Sequence, residues 1–436
     1  MELSFLGMIG VALLLGIIFF FQIPVGFAMG IVGFVGFWAA VSLKAALGMV
    51  GEETWKVFSS YGLTVIPLFI LMGQICFYSG LNKRMYRWAN VLLGEIRGGL
   101  AMATILACAG FAAICGSNTA TAATMATVAL PEMKKYGYDP AFSAGVVATG
   151  ATLGVMIPPS VVLIIIGLQT GQSIGVLFAG AIIPGIVLTL VFLIGIAICS
   201  SIFSGLAPRG EKTSLSHKMW AVFGFWEIFL LFGLVMGGLF LGIFTPSEAG
   251  AAGAFLAILI SLILGNMDIK RLFQAFDDTL RITSMIYVII LGAVIFGRFL
   301  TITRIPYDVA SYVASLSLPR WGIMAFIFLI YLIGGAIMDA LALLLVTIPI
   351  FFPVTRSLGY DPVWFGVWIT LVTTMGAVTP PVGINAFIVA SLDRDVTLAG
   401  VIRGVFLFLP LFVVVIFLLL AYPEMVLWLP RHLFRL

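Results

Sequence analysis

"KKYGYDPAFSAGVVATGATLGVMIPPSVV", residues 134–162, comes back as "RSLGYDPVWFGVWITLVTTMGAVTPPVGI", residues 356–384. The second copy lies 222 residues after the first throughout, pairing Gly137 with Gly359, Tyr138 with Tyr360, Asp139 with Asp361, Gly154 with Gly376, and Pro158-Pro159 with Pro380-Pro381. Extended outwards, the same offset sets Pro140 on Pro362, Pro131 on Pro353 and Pro24 on Pro246. Random placement gives far fewer coincidences of this kind, so the chain is one unit written twice, residues 1–218 and 219–436.

What kind of unit follows from composition. Hydrophobic residues make up 62% of the 436 and charged residues only 9%, against roughly 25% charged in soluble domains. Apolar runs close to the about 20 residues a spanning helix needs recur along the whole chain. Lipid satisfies no backbone polar group, and these runs lack a strand's alternation, so the class is an all-α polytopic membrane protein. "MELSFLGMIG" carries a glutamate and no basic leader, so the first apolar run reads as a retained span. Cys76, Cys108, Cys115 and Cys199 lie in apolar segments without metal-type spacing and read as small buried hydrophobes. The net charge of +4 is scattered over loops and reads as a topology signal, not as a nucleic-acid surface.

In the first unit the pattern predicts spans near 3–22, 24–43 and 61–80, then an amphipathic arm at 81–97. A helical hairpin follows around 98–135, then a broken span at 140–168 and a span at 174–202. If the hairpin turns back midway, each unit crosses an odd number of times and the second copy is inverted; if it crosses fully, the copies are parallel. The polar turn "GSNTATAATM", residues 116–125, at mid-depth favours inversion. On that topology fourteen of the 22 Lys and Arg fall on one side, with Lys134, Lys135, Lys212 and Arg394. The other side takes eight, Arg435 included, which places both termini outside.

No P-loop and no helical HExxH pattern is present, and His217 and His432 sit in polar or terminal segments. An enzyme is hard to build from this inventory; an ion-driven transporter is easy. Pro158 and Pro159 have no N–H, so the carbonyls of Gly154 and Val155 lose their helical donors, and Pro380-Pro381 does the same at Gly376 and Ala377. A lone proline kink is ordinary in membranes, but paired interruptions in two repeats point to a transport site. Hard cations such as Na⁺ favour oxygen ligands of this kind. At the hairpin turn Ser117, Asn118 and Thr119 are placed to cap the second half-helix, whose exposed N–H groups favour an anion. Thr121, Thr124 and Thr127 read better as small packing residues. The partner of Ser117 in the second copy is Asp339, where an ionisable residue reads as functional, or else as a cap or an arginine's partner. Glu132 and Glu248, near segment ends, read as caps or interfacial pairs. "NKRMYRWANVLLGEIRG", residues 82–98, reads as an arm along the membrane surface, with residues 303–320 as its counterpart.

GSNTATA in a first hairpin, GYDP, GATLGVMIPPS, D-A-L followed by P-I-x-x-P, and GAVTPPVGIN together resemble the large membrane subunit of tripartite ATP-independent periplasmic (TRAP) transporters, over nearly all of the chain. The resemblance implies a Na⁺-coupled secondary transporter of the bacterial inner membrane that imports an organic acid. It also implies re-entrant hairpins, broken helices and an elevator motion against a scaffold. Carried over by position, one cation site draws on Ser117, Asn118, Gly154 and Pro158, and the other on Gly335, Asp339, Gly376, Thr379 and Pro380. The anion sits between the tips near Asn118, Thr119 and Asp339. Partners implied are a small membrane subunit, a periplasmic substrate-binding protein and the lipid around them. In fused relatives the small subunit precedes the large one, whereas this sequence starts at the large subunit, so a separate small subunit is expected. The alternative is a stand-alone sodium- or proton-coupled divalent-anion symporter, with Asp339 as proton acceptor in the proton-coupled case. A passive pore would need a continuous polar lining that two isolated breaks do not supply.

Overall fold

Where each helix starts and stops follows from local chemistry. In the computed structural model, which describes residues 2–21, 23–203, 205–210, 213–315, 319–393 and 395–434, GYDP is a joint between helices. Gly137 and Gly359, at φ 74° and 82°, end the helices before them. The carboxylates of Asp139 and Asp361 accept from the N–H groups of Phe142 (2.7 Å) and Val363 (2.8 Å), and Pro140 and Pro362 open the next helices at N1. Thr245 and Glu248 cap each other reciprocally at Pro246, which fulfils the capping role expected of Glu248.

The first unit runs α1 (Glu2–Phe21), α2 (Val25–Ala40), α3 (Leu43–Phe58), α4 (Val65–Tyr78), α5 (Leu81–Leu93), α6 (Gly99–Cys115), α7 (Asn118–Lys135), α8 (Pro140–Ala151), α9 (Leu153–Met156), α10 (Val161–Thr170) and α11 (Ile174–Ile202). After the linking α12 (Leu215–Phe223) come α13 (Trp226–Phe240), α14 (Pro246–Ile263), α15 (Ile269–Ile302), α16 (Ile305–Ser315), α17 (Arg320–Ile337), α18 (Ala340–Ser357), α19 (Pro362–Gly376), α20 (Ile384–Leu392), α21 (Leu398–Val405), α22 (Leu409–Ala421) and α23 (Glu424–Phe434). Among the described residues eight helices are long and apolar enough to cross a membrane, or nine if α21 and α22, bent by 46°, count as one span. The protein is an all-helical, multi-pass membrane protein. Lys212, Arg394 and Arg435, and residues 316–318 of the expected second arm, lie outside the described residues.

The offset of 222 carries α7 onto α18 end for end, 118–135 onto 340–357. It also carries the cis Pro158-Pro159 bond onto the cis Pro380-Pro381 bond. Contacts between halves come in exchanged pairs: α2 packs on α15 as α4 packs on α14, α7 on α20 as α10 on α18, and α8 on α21 as α11 on α19. Reciprocity of that sort is what a two-fold relation between the halves produces.

Two differences from the expected spans have physical causes. Residues 43–58 form a helix, α3, with Glu53 buried and Glu52 and Trp55 exposed; its mixed face hid it among the apolar spans. In the second half the equivalents of α3 and α4 are one 34-residue helix, α15, because Ser284 stands where Gly62 and its 3₁₀ turn interrupt the first.

Burial sorts the elements. From Phe142 to Ala151 of α8, and from Val363 to Gly376 of α19, every residue is buried, so these apolar helices form the centre. Trp364 and Trp368 stack within it, and Trp364 Nε1 donates to the carbonyl of Leu419 at 2.8 Å. The outer helices expose Phe5, Phe20, Phe229, Phe255 and Ile263, the apolar surface that lipid covers. In the outer layer α2 lies so close to α15 that a Cβ at Gly33 would stand 2.7 Å from Phe296 Cα, the close approach that small residues permit between membrane helices.

Candidate functional site

Two helical hairpins turn on two residues each. In the first, Gly116 (φ 66°) ends α6 and Ser117, extended, caps α7, its Oγ accepting from Ala120 N at 3.4 Å. The chain after the break in the same half closes on this tip: Val161 N donates to the Gly116 carbonyl at 3.4 Å. A Cβ on Gly154 would lie 2.5 Å from the Ser117 carbonyl oxygen and 2.7 Å from Thr121 Oγ1, so only glycine fits there. Around that contact oxygen is dense. Ser117 Oγ and Thr119 Oγ1 are 3.1 Å apart, Asn118 Oδ1 accepts from Thr119 N at 2.9 Å, and Thr121 Oγ1 donates to the Ser117 carbonyl at 2.7 Å. Ser117, Asn118, Thr119 and Gly154 are thus one cluster. Pro158 is buried at the break itself, and its neighbour's carbonyl, that of Pro159, backs onto Gly116.

In the second hairpin α17 ends at Ile337, Met338 and Asp339 are extended, and Asp339 caps α18 by accepting from Leu341 N at 3.0 Å. Gly335 and Gly376 meet backbone to backbone, a Cβ on Gly376 standing 2.7 Å from Gly335 Cα. The carbonyls expected to be freed at this break have found turn donors. Thr379 N donates to Gly376 O at 2.9 Å, and Asn385 N to Ala377 O at 3.0 Å, each leaving one lone pair for a ligand. Thr379 Oγ1 donates to the Met375 carbonyl at 2.7 Å, and Pro380 forms the cis bond that follows. Asp339 is held by the N-terminus of its own helix and lines a cavity that the first tip also lines.

That cavity, about 430 Å³, is where the tips meet, for Ser117, Asn118 and Thr119 line it together with Asp339, Ala340 and Leu341. Its far wall is α4 and α15, with Gln74, Phe77, Ile282 and Met285. No Lys or Arg lines it among the described residues, but Asp278 does, accepting from Tyr78 OH at 2.5 Å. Sequence reasoning missed Asp278, whose charged neighbourhood reads as a solvated helix end. It also gave no role to Asn385, which is fully buried with neither amide atom hydrogen-bonded among the described residues. The amide in "GINAFIVASL" was the available signal. Two expectations need correction. Thr127 is exposed, unlike the buried Thr121 and Thr124, and the Glu132 side chain neither caps a helix nor joins an ion pair among the described residues. Cys76, Cys108 and Cys115 are buried and all four cysteines are free thiols.

The family described as "Tripartite ATP-independent periplasmic transporter, DctM component" matches residues 11–425. The chain belongs to that family. It is 33% identical over 86% of its length to a C4-dicarboxylate TRAP transporter large permease protein of Pseudomonas aeruginosa, covering 87% of that protein. To the sialic acid TRAP transporter large permease protein of Vibrio cholerae it is 28% identical, over 94% of this chain and 96% of the other. Its fold is similar to that of the Alcanivorax borkumensis YdaH transporter, with a TM-score of 0.61 over 88% of this chain and 90% of that one, at 12% identity. A TRAP large permease is a membrane transport component and not an enzyme, and membership implies a small membrane subunit and a periplasmic binding protein as partners.

Proposed function

We propose that this chain drives the uptake of a small organic carboxylate, handed over by a periplasmic binding protein, with the Na⁺ gradient across the bacterial inner membrane. The observation that carries the reading is the shared cavity. Both hairpin tips open onto it, and each hairpin backs onto a proline-broken helix through a glycine. At the first break Ser117, Asn118, Gly154 and Pro158 would hold one cation, and at the second Gly335, Asp339, Gly376, Thr379 and Pro380 another. These donor sets are carbonyl, hydroxyl, amide and carboxylate oxygens, which suit a hard cation. When bound, the cations supply positive charge beside a cavity that has no basic side chain of its own among the described residues.

The chain's residues do the rest. α7 and α18 begin at the tips, so their N-terminal N–H groups favour a carboxylate between Asn118, Thr119 and Asp339. Relatives named for C4-dicarboxylates and for sialic acid fit an organic anion. In this reading the halves are inverted copies with both termini periplasmic, the hairpins and broken helices α6–α10 and α17–α20 move as an elevator, and the outer helices with the small subunit stand still. Uptake into proteoliposomes tests it. Accumulation should require an inward Na⁺ gradient, the small subunit and the binding protein; uptake undiminished in choline refutes sodium coupling, and uptake driven by a proton gradient alone supports the symporter alternative.

A further inference from the structure

Lys83, Tyr86, Arg87 and Asn90 recur on α5 at the spacing that puts side chains on one helix face. That face lines a second cavity, about 400 Å³, whose opposite wall is Thr127, Val128, Pro131 and Glu132 of α7. Among the described residues neither Lys83 nor Arg87 has an ion-pair partner, whereas the hydroxyl of Tyr86, a residue only 4% exposed, lies beside Thr104 of α6. Two cations without a partner on one wall of a cavity mark where an anion from outside the chain belongs. The other wall has the opposite character. Pro131 lies inside α7 and offers no N–H to the Thr127 carbonyl, and among the described residues Glu132 has no ion-pair partner.

We propose that this cavity holds the zwitterionic phosphoethanolamine headgroup of a membrane phospholipid. The phosphate meets Lys83 and Arg87, and the ammonium meets Glu132 and the Thr127 carbonyl. A bare phosphate or an anionic glycerol headgroup satisfies the α5 wall but leaves Glu132 unpaired and facing like charge. A lipid is the source because α12, packed on α5, exposes Met219, Trp220 and Phe223, the side chains of a membrane interface. The headgroup joins the arm α5 to the hairpin helix α7, so it ties the hairpin to its surroundings through lipid.

The test is native mass spectrometry of the chain with its small subunit, equilibrated with equimolar phosphatidylethanolamine and phosphatidylglycerol of the same acyl chains. The protein should retain phosphatidylethanolamine over phosphatidylglycerol roughly tenfold, the scale of one charge-assisted hydrogen bond. Glu132→Gln should bring that ratio to about one while lipid is still retained, and Lys83→Gln with Arg87→Gln should deplete both lipids. Being a ratio within one sample, the readout does not depend on how much of each variant folds. Equal retention by the unsubstituted protein, or a ratio that Glu132→Gln leaves unchanged, overturns the proposal. Soluble phosphoethanolamine should not displace the lipid; if it does so as well as excess phosphatidylethanolamine, the lipid source is overturned.

Discussion

The backbone N–H of Gly383 donates to the carbonyl of Ala336 at 3.1 Å, as Val161, 222 residues earlier, donates to Gly116 at 3.4 Å. In each half the chain just beyond the proline break is therefore tied to the end of the first helix of the hairpin. Each such bond is worth about 0.5–1.5 kcal/mol and favours tip and break moving together. Any ion held between them is sensed by both.

Glycine at the two contacts is the first point to test. Gly154→Ala would place a methyl 2.5 Å from the Ser117 carbonyl, and Gly376→Ala one 2.7 Å from Gly335 Cα, both against backbone that has no rotamer to escape by. Overpacking of this kind costs about 1–3 kcal/mol. If Na⁺ binds as proposed, it raises the melting temperature relative to choline, and each variant should melt earlier and lose that upward shift. A variant that melts earlier but keeps the full sodium shift shows that the glycine serves packing alone.

Inversion of the repeats is read from two equivalent positions, Lys135 at the end of α7 and Ser357 at the end of α18. In a background without the four native cysteines, Lys135→Cys should react with a membrane-impermeant maleimide only from the cytoplasm. Ser357→Cys should react only from the periplasm. Labelling of both from one side makes the repeats parallel and removes the elevator.

Much of this architecture was legible because it rests on residues with one strong backbone preference. Proline pairs, the Gly-Tyr-Asp-Pro joint at 137–140 and 359–362, and the caps Ser117 and Asp339 announce their own geometry. What escaped is chemistry that depends on what a side chain meets across space. Glu53 lies in an amphipathic stretch that reads as loop, yet it is buried because Arg298, far along the chain on α15, reaches it at 2.7 Å. Thr127 and Glu132 share a helix with the packing residues Thr121 and Thr124, but a cavity opens beside them. Periodicity identifies faces; it does not say which face has a neighbour.

Asp278 puts a carboxylate on the wall of a cavity proposed for an anion, held by Tyr78 from the neighbouring helix α4. Asp278→Asn removes a like charge, so the apparent KM for a carboxylate substrate should fall with little change in kcat. Tyr78→Phe removes a hydrogen bond to a charged group, worth about 1.5–3 kcal/mol, and should lower the melting temperature and raise KM as the carboxylate loses its donor. Titrating uptake rate against substrate at saturating Na⁺ separates the two. An unchanged KM in Asp278→Asn places the substrate elsewhere.

Asn385 poses the sharpest contrast between stability and function. Its side chain is fully buried at the start of α20, where that helix packs on α7 and α8, and neither amide atom has a hydrogen-bond partner among the described residues. An unsatisfied buried group costs about 1–3 kcal/mol, so Asn385→Leu, close in volume, should raise the melting temperature. A residue retained at that cost is kept for what its amide binds, and transport by the stabilised variant should fall. Melting curves and proteoliposome uptake on the same preparation decide the matter. A variant that is more stable and fully active means the amide is a packing residue, whereas a destabilised one means it has a partner, such as a buried water, that Leu displaces.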